Sequence, residues 1–318
     1  MTEQSLKTQV IPKAKAVINE VRKAVIGKDD IIIKTLLAIS AKGHILLDDI
    51  PGVGKTTLAV AFSKAMSLDY KRMQFTPDVM PADVTGFNVY NKHTGQFEYK
   101  EGAALCSLFL ADEINRTSSK TQSALLEVME EGAVTVDGVT RVLPRPFIVI
   151  ATQNPIGSVG TQMLPDSQLD RFIVKLSMGY PDIESEISIL KSKSASGVAE
   201  SVSPVASRQD IIMIQNAVDE IYADDKIYRY IASIAAATRN HDMLKLGLSP
   251  RGTVALASMT KASALLHGRL YAIPDDVKYI FSDVAGHRLI LTAKAKANGV
   301  TVENVMEDII SSVKAPEL

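Results

Sequence analysis

The chain has no tryptophan, a single cysteine, and aromatic residues at only 5% of its 318 positions. It also lacks an excess of either charge: 35 basic residues stand against 36 acidic ones, a formal net charge of −1. Each shortage closes off something. One cysteine, Cys106, cannot build an intrachain disulfide framework and suits a reducing compartment. At the head of the apolar run "LCSLFLAD" it reads as a small buried hydrophobe rather than a reactive thiol. A balanced charge with no tryptophan gives no global pull toward nucleic acid or an anionic membrane. No apolar run approaches the ~18 residues a membrane span needs. The polar, acid-bearing start "MTEQSLKTQV" is unlike a signal peptide, so the cytoplasm is the expected compartment. What is present, 46% apolar and 22% charged residues, is ordinary for a globular protein, and the length suggests two domains.

Periodicity supplies the elements. Ala14, Val17, Ile18, Val21 and Val25 recur at helical spacing behind Pro12, and a second helical stretch covers 31–41. "HILLDD" reads as a short buried strand and 55–66 as the helix after the following loop. Two hairpins are expected. One lies over 86–100, where Phe87/Val89 and Phe97/Tyr99 alternate; the other is "AVTVDGVTRV", turning at Asp137-Gly138. Between them come the strand "SLFLADE" and an amphipathic helix over 119–131 closed by Gly132, and then the strand "PFIVIATQN". Strands alternating with helices imply a mainly parallel sheet covered on both faces. Beyond residue 182 only helical periodicities occur, and the Ser/Ala/Gly/Pro-rich stretch 192–207 reads as a flexible connection.

The chemistry gathers at strand ends. "DIPGVGKTT" (49–57) follows a strand and opens a helix, the context of a phosphate-binding P-loop, except that Asp49 stands where the pattern has its first glycine. Gly52 and Gly54 let the backbone curl around an anion, Lys55 would reach the β- and γ-phosphates, and Thr56 would hold Mg²⁺. "LFLADE" ends a buried strand in two acids: Asp112 suits Mg²⁺, and Glu113 suits orienting or deprotonating the attacking water. Asn154 in "ATQNP" would emerge at the same sheet edge and could bond the γ-phosphate or that water. Asp49 is expected to point away from the phosphates and to be neutral to catalysis.

"PGVGKT", "LFLADEINR", "KTQSALLEVMEEG", "ATQNP", "LPDSQLDRF" and "LSPRG" occur in this order, and together they resemble the MoxR family within the AAA+ ATPases over essentially the whole chain. The resemblance implies an α/β fold: a P-loop NTPase αβα core with a mainly parallel five-stranded sheet over 1–181, then a small all-helical lid over 182–318. It implies ATP and Mg²⁺, with Pro51, Gly52, Val53, Gly54, Lys55, Thr56, Thr57 and Asp112 around the nucleotide and Ile26 and Gly27 ("VIGK") lining the adenine pocket. By the same resemblance Asn154 matches sensor 1, and Arg171 in "LDRF" matches the arginine finger serving a neighbouring subunit. Arg251 in "LSPRG" matches sensor 2, reading the nucleotide of its own subunit. The two hairpins resemble the helix 2 insertion and the pre-sensor 1 hairpin, which face the pore of a ring in similar proteins. A hexameric homo-oligomer, a client protein and a partner with a von Willebrand factor A domain are implied as well, with chaperone-like remodelling, maturation or metal insertion as the work done.

Rival readings have weaker support in the residues. "NKHT" (91–94) nearly gives a guanine-reading motif, but Thr94 replaces its acid. A small-molecule kinase has no need of so long a helical C-terminal part. An AAA+ motor on nucleic acid would call for basic residues clustered with aromatics, which the sequence lacks. A nucleotide-dependent scaffold without turnover would have no use for Glu113 and Arg171.

Overall fold

The computed structural model describes residues 4, 6–154, 164–191 and 201–317. Two helices, α1 (Ile11–Arg22) and α2 (Asp29–Ser40), lead into β1 (Ile45–Asp48). Then come α3 (Lys55–Ala65), β2 (Tyr70–Gln74), α4 (Pro81–Thr85), the hairpin β3 (Gly86–Asn91) and β4 (Gln96–Glu101), and β5 (Leu108–Asp112). Helix α5 (Ser119–Glu131), a second hairpin of β6 (Ala133–Val136) and β7 (Val139–Val142), β8 (Ile148–Gln153), α6 (Asp166–Leu169) and β9 (Val174–Leu176) complete the α/β part.

Five of these strands form one parallel sheet in the order β2-β5-β8-β1-β9. Alternation along the apolar runs accounts for the layers. Ile45, Leu47, Leu108, Leu110, Ile148 and Ile150 enter one apolar cluster with α1, α2 and α3. Their neighbours Leu46, Phe109, Ala111, Val149 and Ala151 enter a second with Leu125, Leu126 and Met129 of α5. A strand buried on both faces has no polar alternation to display, so it reads as an unbroken apolar run. The outer strands β2 and β9 escaped the sequence reading for the converse reason. "YKRMQ" is half-exposed at an edge, and β9 has three residues. Cys106 is buried, and burial pushes its thiol up to about 12.

Beyond β9 come the helices α7 (Ile183–Lys191), α8 (Arg208–Asp219) and α9 (Asp225–Arg239), which lead to β10 (Leu244–Leu246). Next are α10 (Pro250–Leu266), α11 (Pro274–Ala285), β11 (Ile290–Leu291), α12 (Ala293–Ala297) and α13 (Val302–Ser312). Among the described residues the lid is thus helical apart from the β10–β11 ribbon, too short for periodicity to register. Residues 192–200 of the expected flexible connection lie outside the described residues. The rest of it is corrected by packing: Val202 and Ala206 are buried, Ser203 N–H donates to Glu20 at 2.8 Å, and the amides of Val205 and Ala206 both donate to the Ala65 carbonyl at 3.0 Å. Among the described residues no helix is long and apolar enough to cross a membrane.

Candidate functional site

Parallel strands bring their carboxyl ends to one edge, so Asp48, Asp112 and Gln153 finish side by side. The loop after β1 carries Pro51, Gly52, Val53 and Gly54 into α3, whose first turn holds Lys55, Thr56 and Thr57. Gly52 and Gly54 take φ of 86° and 98°, a left-handed backbone that side chains resist, and no atom lies within 4 Å of where a Gly52 Cβ would project. Lys55 is buried; its Nζ donates to the Asp49 carbonyl at 2.5 Å, and among the described residues it makes no ion pair. Burial lowers its ammonium below the ordinary lysine value, against the charges of Asp49, Asp112, Asp48 and Glu113.

An apolar slot adjoins this loop. Val25, Ile26, Val53, Met178, Pro181 and Ile189 line it, and it is continuous with Gly52, Gly54 and Thr57. Gly27 stands beside it with φ of 72°, so close to α7 that a Cβ would overlap Ser185 Oγ. Glycine is required there by space as well as by backbone.

Across the same edge Glu113 adopts a left-handed backbone (φ 58°), with its amide donating to Thr152 Oγ1 at 2.8 Å. One carboxylate oxygen accepts from Asn154 Nδ2 at 3.0 Å, the other from Arg116 at 2.7 Å and Gln74 at 3.5 Å. Burial alone would raise this carboxyl, but those three donors hold it below the ordinary glutamate value. Asp112 is engaged by Arg72 at 2.7 Å and Thr152 Oγ1 at 2.5 Å. The structure therefore joins Glu113 with Asn154, and gathers Lys55, Asp112 and Glu113 at one edge. Arg72, Gln74, Arg116 and Thr152 are partners that sequence spacing did not reveal. Only Gln74 and Thr152, at or next to the carboxyl ends of their strands, had a positional signal.

The two arginines lie elsewhere. Helix α5 runs back beneath the sheet, so its last turn reaches the amino ends of the strands, beside Lys42, His44 and the residues preceding β9. Arg171 donates to the Leu126 carbonyl at 2.8 Å and pairs with Glu130 Oε2 at 3.0 Å, while Arg251 pairs with Glu130 Oε1. β8 alone has six residues, about 20 Å of strand between the two edges. This corrects the expectation that Arg251 reads its own protomer's nucleotide: it sits beside Arg171, across the sheet from its own P-loop. The chain also ties this corner to the lid. Arg288 of the lid bonds Asp170 Oδ1 at 2.6 Å, and Ser249 donates to both Asp170 oxygens at 3.1 and 2.9 Å.

A P-loop at the carboxyl edge of a 2-5-8-1-9 sheet, followed by a helical lid, defines an AAA-type nucleotide-binding protein. Comparison with known proteins agrees. The profile of the ATPase family associated with various cellular activities (AAA) matches residues 44–174, and that of an AAA lid domain matches 236–309. The uncharacterized protein YeaC of Bacillus subtilis (strain 168) is 48% identical over 299 residues, covering 94% of this chain and 93% of its own. Chaperone MoxR1 of Mycobacterium tuberculosis is 34% identical over 310 residues, covering 95% and 82%. A crystal structure from Cytophaga hutchinsonii ATCC 33406, described as a candidate ATPase, superposes with a TM-score of 0.91 at 36% identity, over 99% of this chain and 98% of that one. The chain belongs to the MoxR family of AAA+ ATPases.

Proposed function

We propose that the protein hydrolyses ATP with Mg²⁺ at sites completed between protomers of a ring, hexameric by family resemblance. The observation that carries this reading is the division of the site. An apolar slot beside a glycine-rich loop occupies one sheet edge, and two arginines sharing a single carboxylate occupy the other. A buried ammonium whose hydrogen bond among the described residues goes to a backbone carbonyl, next to a bare glycine backbone, fits a polyphosphate. Pro51 to Thr57 would wrap the phosphates, with Lys55 bonding the terminal ones, while Ile26 and the Gly27 turn would face the base. Thr56 and Asp112 would hold Mg²⁺, which when bound neutralises phosphate charge. Glu113, ionised at neutral pH, would take the proton of the attacking water, and Asn154 fixes the orientation of its carboxylate. Arg171 and Arg251 would leave Glu130 to meet the phosphates of a neighbouring protomer, which makes turnover depend on assembly.

We place the domain division at 181/182; hydrolysis would tilt the lid from 182 onward and move the two hairpins of the α/β core. That work would serve chaperone-like remodelling, maturation or metal insertion of a client in the cytoplasm, together with a von Willebrand factor A domain partner. The chaperone name of the Mycobacterium tuberculosis relative supports this. Substitution tests the core of the reading. Glu113→Gln should bind ATP but lose turnover about 100-fold or more. Turnover within a few-fold of the unsubstituted protein would place the base elsewhere.

A further inference from the structure

Asp49, the residue that interrupts the P-loop pattern, is a junction rather than a neutral replacement. It is only 7% exposed, and every strong acceptor on it is used. Its Oδ1 accepts from the Ile50 amide at 2.8 Å; its Oδ2 accepts from the Gly179 amide at 2.6 Å and the Ser177 hydroxyl at 3.0 Å. Its backbone carbonyl receives the Lys55 ammonium, and its amide donates to Gln153 at 3.3 Å. One residue thus binds the phosphate lysine through its main chain and the segment after β9 through its side chain.

That segment forms the far wall of the apolar slot. Met178 and Pro181 line it, and the Met178 methyl lies 3.7 Å from where a Gly54 Cβ would sit. Gly179 turns the chain between them with φ of 61°. Lys28 donates to the Tyr180 carbonyl at 2.7 Å, pinning the same segment from the other side. Three donors converging on one carboxylate oxygen pair are the strong, charge-assisted kind of hydrogen bond. A glycine at position 49, as the ordinary pattern has, would hold the phosphates but not this wall.

We propose that Asp49 is a positioning residue that fixes the base-facing wall, 177–181, in register with the phosphate loop, so that it governs affinity for the nucleoside part of the ligand and not for the polyphosphate part. This rests on the nucleotide-binding reading of the same site and adds a division of labour within it. Asparagine cannot reproduce the arrangement, because its amide NH₂ would face a donor at one of the two oxygen positions.

Calorimetric titration of the full-length protein with MgATP and, separately, with magnesium tripolyphosphate tests the division. Asp49→Ala should weaken MgATP binding about tenfold or more. Its tripolyphosphate affinity should stay within about threefold, which also certifies a folded loop. Asp49→Asn should fall between the alanine variant and the unsubstituted chain, and Lys55→Ala should lose both ligands together. Equal weakening of both ligands by Asp49→Ala, or of neither, would overturn the assignment. Failure of the unsubstituted protein to bind MgATP would overturn the nucleotide reading itself, and this inference with it.

Discussion

Glu113 and His44 show how far single residues can be read. Glu113 was legible because a P-loop precedes it; acids often end strands, and the apolar run before it is a weak signal alone. Asn154 was legible at the same edge, but its bond to Glu113, 41 positions away, was not, and neither were the contacts from Arg116 and Gln74; only the folded sheet edge brings these donors together. At the P-loop itself, Lys55→Ala should abolish tight ATP binding in an equilibrium titration, and unchanged affinity would remove the lysine from its role. His44 carried no signal at all. It is half-buried, accepting from the Val149 amide at 3.0 Å through Nδ1, so Nε2 carries the proton that reaches the Met129 carbonyl at 3.0 Å. Burial pushes it down to about 4. Since the folded chain resists a proton that the unfolded chain accepts near 6.5, stability falls as pH drops from about 6.5 toward 4. The loss attributable to this group is about 3 kcal/mol at most. His287, held low chiefly by burial, acts in the same direction. His44→Gln should flatten, without abolishing, the acid-side slope of urea-unfolding stability against pH; an unchanged slope would contradict it.

Among the elements, α5 does the most to connect the two halves of the site. Its end was legible from Gly132, which closes the helix in a left-handed turn, whereas the cap at its start, Ser118 accepting from the Thr121 amide at 3.3 Å, comes from the structure. Near its start, the buried Gln122 amide donates to the carbonyls of Ile114 at 3.0 Å and Thr117 at 3.4 Å, supporting the turn that follows Glu113. Its last turn supplies Glu130 to both arginines. Nothing in the spacing of Glu130 announced a shared ion pair with residues 41 and 121 positions away. Gln122→Ala leaves two buried carbonyls without that donor and should cost about 1–3 kcal/mol in urea unfolding. A change under about 0.5 kcal/mol would mean the turn is held by other contacts. The edge strands β2 and β9 teach the same lesson from the other direction. Short or half-exposed strands carry little periodic signal, and their place comes from pairing rather than composition.

For the molecule as a whole, the motif order was enough to identify the αβα core, the lid and the family. The relation of lid to core was not, because one buried cluster joins residues as distant as Val17, Ile45 and Ile280. That packing brings Ser249, Arg251 and Arg288 to Asp170 and Arg171, and it moves Arg251 away from its own P-loop. If each site needs the arginine edge of a neighbour, specific ATPase activity should rise with protein concentration until assembly saturates. A constant specific activity down to nanomolar protein would indicate self-sufficient protomers. The most direct measurement mixes two inactive proteins. Arg171→Ala keeps an intact P-loop and Glu113; Glu113→Gln keeps intact arginines. Random 1:1 mixing should pair them productively at about a quarter of interfaces and restore ATPase activity in that proportion. No recovery in rings verified to contain both variants would contradict a site shared between protomers.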